Sequence, residues 1–326
     1  MKKLFAILLM ITICASFLLA CKKEEETVNE LPQEEAPVEE QVHYTFGYCC
    51  TSMNNPYFIA LEGVMREALE AEGHTLITMD AEVDADIQKE QIQKLIEQKV
   101  DAVFLTPVDW VAIKDSLQLL KDAGIPIINV DTSVQDVDLV DAYVGSDNTR
   151  AGELCGEYLL SRLPQGGKIL IVECPNRNSI IDRMNGFERT IAKKGFEVVA
   201  RIDGQAQLEL ALTQVEEALK QYPDIVAIMC GNDQMAQGAL VAANTVAAEH
   251  IQIYSVDGSP DVKEEIAKEN AKIVATVAQS TEKMGKEAVR LAFCILNGES
   301  FEKNTFIDTI LITKENVAEY GIDSWQ

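Results

Sequence analysis

The sequence predicts an α/β fold made of two successive doubly wound series, each a parallel sheet with helices on both faces. Three observations carry this. Short runs of Val, Ile and Leu, such as AVFL at Ala102–Leu105 and IVAIM at 225–229, read as strands buried on both sides. Segments with apolar residues at helical spacing lie between them. Polar residues gather after the strand ends in both series, namely Asn55, Asp80 and Asp131, then Asn232, Asp257 and Gln279.

Taken in order, the first strand lies within 43–50, and the loop after it ends in Asn55, Pro56, Tyr57 and Phe58. Asn before Pro is a good helix start, with Asn as the cap and Pro at the first helical position. The helix is expected over 57–72 and stops at Gly73, a residue suited to the left-handed position after a helix. Next come a strand at 75–79, a helix at 86–98, a strand at 102–105, a helix reaching Ala123 before Gly124, and strands at 126–130 and 142–145. The second series has strands at 168–172, 196–202, 225–229, 251–256 and 273–277, with helices at 179–194 and 208–221 among them. A helix running to about Leu296 and one last strand at 306–312 precede a short terminal helix.

With 326 residues and 47% hydrophobic content the chain has room for two domains and is too apolar to be disordered. Its 28 Lys and Arg against 53 Asp and Glu give a net charge of −25, which repels nucleic acid and anionic membrane surfaces. Met1, Lys2 and Lys3 precede an uncharged run over 4–20, the pattern of an export signal and too short for a comfortable span. Ala20 before Cys21 resembles the lipobox of bacterial lipoproteins, which makes Cys21 the expected lipidation site and a lipid anchor the only expected membrane attachment. Residues 21–42 are rich in Glu and Pro, an acidic tether that lacks the apolar surface to fold.

Six further cysteines fall inside apolar strands and helices, with Cys49 and Cys50 on opposite faces of one strand, which suits buried free thiols. No CxxC, no His/Cys cluster with metal spacing, no GxGxxG and no GKS or GKT loop occurs, and the three His precede strands rather than follow them. Metal, cofactor and catalytic readings therefore have little support; Asp131 and Asp257 as an acid/base pair remain the enzyme alternative.

The ordered set TSMNNPYF, INVDTSV, YVGSDNTRAGE, CGNDQMAQGA, YSVDGSP and TVAQS, spread over nearly the whole chain after the tether, resembles the sugar-binding proteins of bacterial ABC importers with the type I periplasmic binding fold. That resemblance implies two Rossmann-like lobes joined by a three-segment hinge, lobe 1 over 43–145 plus 280–308 and lobe 2 over 146–279 plus 309–326. It also implies a monosaccharide or polyol caught between the lobes by Asn55, Tyr57, Phe58, Asp131 and Thr132 on one side and Arg183, Asn232, Asp257 and Gln279 on the other. Two departures stand out. Thr132 follows Asp131 where many ribose-type relatives have Arg, and 203–207 reads DGQAQ where such relatives offer an aromatic face. Trp110, after Asp109, is a candidate substitute for the lost ring, though packing at a helix start explains it better. The implied role is that of an extracytoplasmic, monomeric lipoprotein delivering its ligand to importer membrane subunits. A receptor signalling to a chemoreceptor or sensor, and a binder of a non-sugar molecule such as a nucleoside, are the open alternatives.

Overall fold

Residues 42–326 are described by the structure, a computed structural model. The expected export signal, Cys21 and the tether up to residue 41 lie outside the described residues. Strand β1 (Thr45–Cys50) is followed by α1 (Pro56–Ala71), β2 (Thr75–Asp80), α2 (Ala85–Gln98), β3 (Ala102–Leu105), α3 (Lys114–Asp122), β4 (Ile127–Val130) and β5 (Ala142–Ser146). Next come α4 (Asn148–Arg162), β6 (Gly167–Glu173), α5 (Asn178–Ile191), β7 (Phe196–Asp203), α6 (Leu208–Gln221), β8 (Ile225–Cys230), α7 (Asp233–Thr245), β9 (Gln252–Asp257), α8 (Pro260–Ala267) and β10 (Ile273–Ala278). The last elements are α9 (Thr281–Leu296), β11 (Asn304–Ile307), β12 (Ile310–Thr313) and a short 3-10 helix at Val317–Tyr320.

The strands form two six-stranded sheets with orders β11-β5-β4-β3-β1-β2 and β12-β10-β9-β8-β6-β7. Every pairing is parallel except β10 with β12. In each sheet the strand order reverses beside the first strand of its series, and ligands of open α/β sheets bind in the crevice beyond the carboxyl ends at such switch points. The chain passes between the sheets three times, from β5 to α4, from β10 to α9 and from β11 to β12.

The single strand expected at 306–312 is two strands. Asn304–Ile307 pairs in parallel with β5 of the first sheet, and Ile310–Thr313 pairs antiparallel with β10 of the second. Continuous β-propensity in FIDTILI hides the break at Asp308 and Thr309, because both halves are extended and only their partners differ.

Alternation along β1 divides the first core. Tyr48 and Cys50 face the cluster built on Leu61, Met65 and Met284, whereas Cys49 faces Ile92, Leu95 and Leu117. All six cysteines among the described residues are buried and free, and burial pushes the Cys49 and Cys50 thiols up to about 12, so neither ionises near neutrality. Helices α4 and α5 meet through glycine: a Cβ on Gly152 would lie 1.8 Å from the Arg183 carbonyl oxygen, and one on Gly186 would lie 2.1 Å from that of Thr149. Backbone therefore packs on backbone there, which fixes the height of Arg183 above the second sheet. At the carboxyl end of the chain, Lys263 of α8 donates to the carbonyls of Tyr320, Gly321 and Ser324, and Trp325 packs edge-on against Tyr57 at 5.8 Å.

Candidate functional site

The nine predicted binding residues converge. Asn55, Tyr57, Phe58, Asp131, Thr132, Arg183, Asn232, Asp257 and Gln279 all line one narrow cavity between the carboxyl ends of the two sheets. Local structure explains how each arrives. Asn55 caps α1, its Oδ1 accepting from the Tyr57 amide at 3.0 Å, so the first turn presents Tyr57 and Phe58 together, ring against ring at 5.2 Å. Asn232 caps α7 in the same way at 3.0 Å. Asp131 and Asp257, at the ends of β4 and β9, have φ of 68° and 141°. Positive φ costs a non-glycine residue on the order of 1–3 kcal/mol, and such strain persists where the surroundings over-determine a side chain's aim.

Arg183 is the centre of the second lobe's face. Its Nε donates to Asn148 Oδ1 at 2.8 Å, and one terminal nitrogen donates to the Gly231 carbonyl at 2.7 Å and to Asp257 Oδ1 at 3.4 Å. Gln279 Nε2 donates to the same Asp257 oxygen at 2.8 Å. Asn148 opens α4 and Gln279 precedes α9, so two of the three inter-sheet passages are hydrogen-bonded into the site.

Burial sets the electrostatics. Desolvation raises Asp257 to about 7, partly offset by Arg183 and reinforced by Asp233 and Asp131. Asp131 is raised for the same leading reason, with Arg183 and the Thr132 hydroxyl pulling the other way. Asp233, beneath the site, is also raised by burial, although it accepts from Ser255 Oγ, the Ser259 amide and Thr276 Oγ1.

Four residues that sequence reasoning missed line the cavity as well: Arg177, Ser179, Ile180 and Ala206. Arg177 and Ser179 bridge the lobes, with Arg177 Nη2 donating to Thr51 Oγ1 at 2.5 Å and Ser179 Oγ lying 2.8 Å from Thr132 Oγ1. Arg177 gives the cavity a second guanidinium beside Arg183, and its signal was only an Arg in a loop, which has no period to orient it. Ala206 stands where an aromatic face was absent, with φ of 58°. Trp110 does not line the cavity; its backbone amide donates to the Asn176 carbonyl at 3.1 Å and its carbonyl accepts from Gln135. Asp80 stays outside as well, its carboxylate accepting from the Glu82 amide in a turn.

What the cavity offers is unpaired hydrogen bonding. Asp131 Oδ1, Gln279 Oε1 and Arg177 Nε are buried and have no partner among the described residues. Each such group costs about 1–3 kcal/mol until something satisfies it. Two acceptors and one donor, with aromatic rings alongside, fit an uncharged ligand bearing several hydroxyls. Among the described residues no group of His, Cys, Asp and Glu has a metal-binding arrangement.

Comparison with known proteins agrees with this geometry. Residues 46–300 match the family model described as periplasmic binding protein domain. The ribose import binding protein of Bacillus subtilis (strain 168) is 31% identical over 306 residues, 93% of this chain and 96% of that protein. An ABC transporter solute binding protein from Bacillus halodurans C-125 with bound myo-inositol aligns with TM-score 0.78 at 28% identity, over 86% of this chain and 97% of that one. One from Mycobacterium smegmatis with bound glycerol aligns with TM-score 0.81 at 26% identity, over 85% and 96%.

Proposed function

The chain belongs to the periplasmic binding protein domain family, and from that premise we propose that it is an extracytoplasmic substrate-binding protein that captures a monosaccharide or related polyol and delivers it to an ABC importer. The observation that carries the ligand class is the set of unpaired buried groups, Asp131 Oδ1, Gln279 Oε1 and Arg177 Nε, in one cavity with Tyr57 and Phe58. The three relatives described above carry the names of ribose, myo-inositol and glycerol, each a neutral molecule with several hydroxyls.

The mechanism is hinged capture. The cavity holds only about 20 Å³, room for a single water, so the lobes part to admit a ring and close on it. Tyr57, Phe58, Asp131 and Thr132 receive the ligand on one lobe; Arg183, Asn232, Asp257 and Gln279 add bonds that exist only on closure. Contacts made in one state alone shift the equilibrium toward it. Importer membrane subunits then recognise the closed form, while a lipid on Cys21 and the tether hold a monomer at the membrane surface.

Thermal unfolding against pentoses, hexoses, polyols, inositols and nucleosides tests this. A ligand at a hundred times its Kd adds about 2.7 kcal/mol and a visible rise in Tm. Arg183→Ala and Asp257→Ala are expected to abolish that rise while retaining a cooperative transition; an undiminished rise in either removes that residue from the site.

A further inference from the structure

The inner cavity adjoins a second, larger chamber that the nine predicted residues do not account for. This outer space measures about 420 Å³, within the range of roughly 300–1,000 Å³ usual for small-molecule sites, whereas the inner one measures about 20 Å³. Asn55, Phe58, Arg177 and Ala206 line both, so the two chambers adjoin across these side chains.

The segment 203–207 forms part of the wall between the two chambers. Gln205 and Ala206 take left-handed backbone, with φ of 50° and 58°, and the side chain at the junction is a methyl group rather than a ring. Arg177 marks the same junction from another element, at the start of α5. It is 5% exposed, its Nη2 is committed to Thr51, and its Nε has no partner.

The outer walls are rich in carboxamides. Asn54, Gln205, Gln207 and Gln234 line the chamber beside Ser52, and none of the four amide side chains has a hydrogen-bond partner among the described residues. Free carboxamides beside an aromatic face offer planar donors and acceptors to a polar ring. The only other charged residues in the wall besides Arg177 are two carboxylates, Glu82 and Glu209, which disfavour an anionic group.

We propose that the cleft binds a glycoside: a sugar or polyol ring in the inner cavity, joined to a second, uncharged ring in the outer chamber, with Arg177 Nε donating to an oxygen at the junction. This rests on the inner-site reading above and names the ligand class of the same cleft. The second ring has two sources with the same chemistry, another sugar in a disaccharide or the base of a nucleoside.

Calorimetric titration of the full-length chain in detergent distinguishes them. The single-ring probes are D-ribose, D-galactose and myo-inositol; their two-ring counterparts are adenosine and uridine, lactose, and galactinol. At least one two-ring probe is expected to bind ten times or more tightly than its own single-ring parent. Gln207→Trp, which fills the outer chamber, is expected to erase that advantage and leave the parent's Kd within twofold; should the bulky variant not fold, the double change Asn54→Ala with Gln234→Ala is expected to reduce the advantage at least fivefold. Single rings that bind while every two-ring probe binds no better overturn the glycoside inference and leave the inner site standing. No binding by either set overturns both.

Discussion

Asp257 shows how much one residue's environment decides. Its carboxyl is held protonated up to about pH 7 by burial beside Asp233 and Asp131, against the pull of Arg183. An unfolded aspartate ionises near 4, so the folded state keeps a proton that the unfolded state loses. Stability from this source is complete below about pH 4 and is lost as pH rises toward 7. The ligand-free protein is therefore expected to lose Tm between about pH 4 and 7, and Asp257→Asn to flatten that slope by up to about 1.4 kcal/mol per pH unit in urea titrations. An unchanged slope in the variant rules out the raised carboxyl. Hydroxyls donated to Asp257 favour its charged form, so ligand affinity is expected to increase as pH rises through 7, read as proton release by calorimetry in buffers of different ionisation heat. At this scale Asp131, Asp257 and Arg183 were legible because motifs named them, whereas Arg177 was not, since a loop residue's direction is set by the backbone around it.

Helix packing sets where those side chains stand. Gly152 on α4 lies so close to the Arg183 carbonyl that a methyl group there must separate α4 from α5. Gly152→Ala is expected to cost about 1–3 kcal/mol and to weaken ligand binding several-fold, because Arg183 is carried on the displaced turn. Gly63→Ala on α1, where nothing lies within 4 Å, is the control. It should stabilise by about 0.5–1 kcal/mol through helix propensity and leave Kd unchanged. Equal effects of the two in urea denaturation and titration would falsify the close-approach account. Element positions were readable from periodicity, and α6 and β3 match expectation residue for residue. The break between β11 and β12 was not, because strand propensity does not say which sheet a strand joins.

Closure belongs to the whole molecule. Across the cleft, hydrogen bonds join the lobes from Arg177 to Thr51, between Ser179 and Thr132, from Asn178 to Ser133 at 2.8 Å and from the Trp110 amide to the Asn176 carbonyl. The chain has two tryptophans, Trp110 on the closing rim and Trp325 against Tyr57. Ligand is expected to change the emission of Trp110 on closure, so Trp325→Phe should retain most of the signal and Trp110→Phe should lose it. The opposite pattern would place the moving boundary at the carboxyl terminus, where Trp325, within the 309–326 segment expected in lobe 2, packs against the first lobe's core.

By itself the sequence determined the alternation of strands and helices, the two α/β series and the strand ends where polar groups gather, because hydrophobic period and capping chemistry are local properties of the chain. Tertiary structure alone decided that Arg177, Ser179 and Ala206 face the same cavity, that the last strand divides between two sheets, and that an outer chamber adjoins the inner one. Those facts depend on distances between residues far apart in sequence, such as Thr51 and Arg177, and no local pattern encodes a distance of that kind.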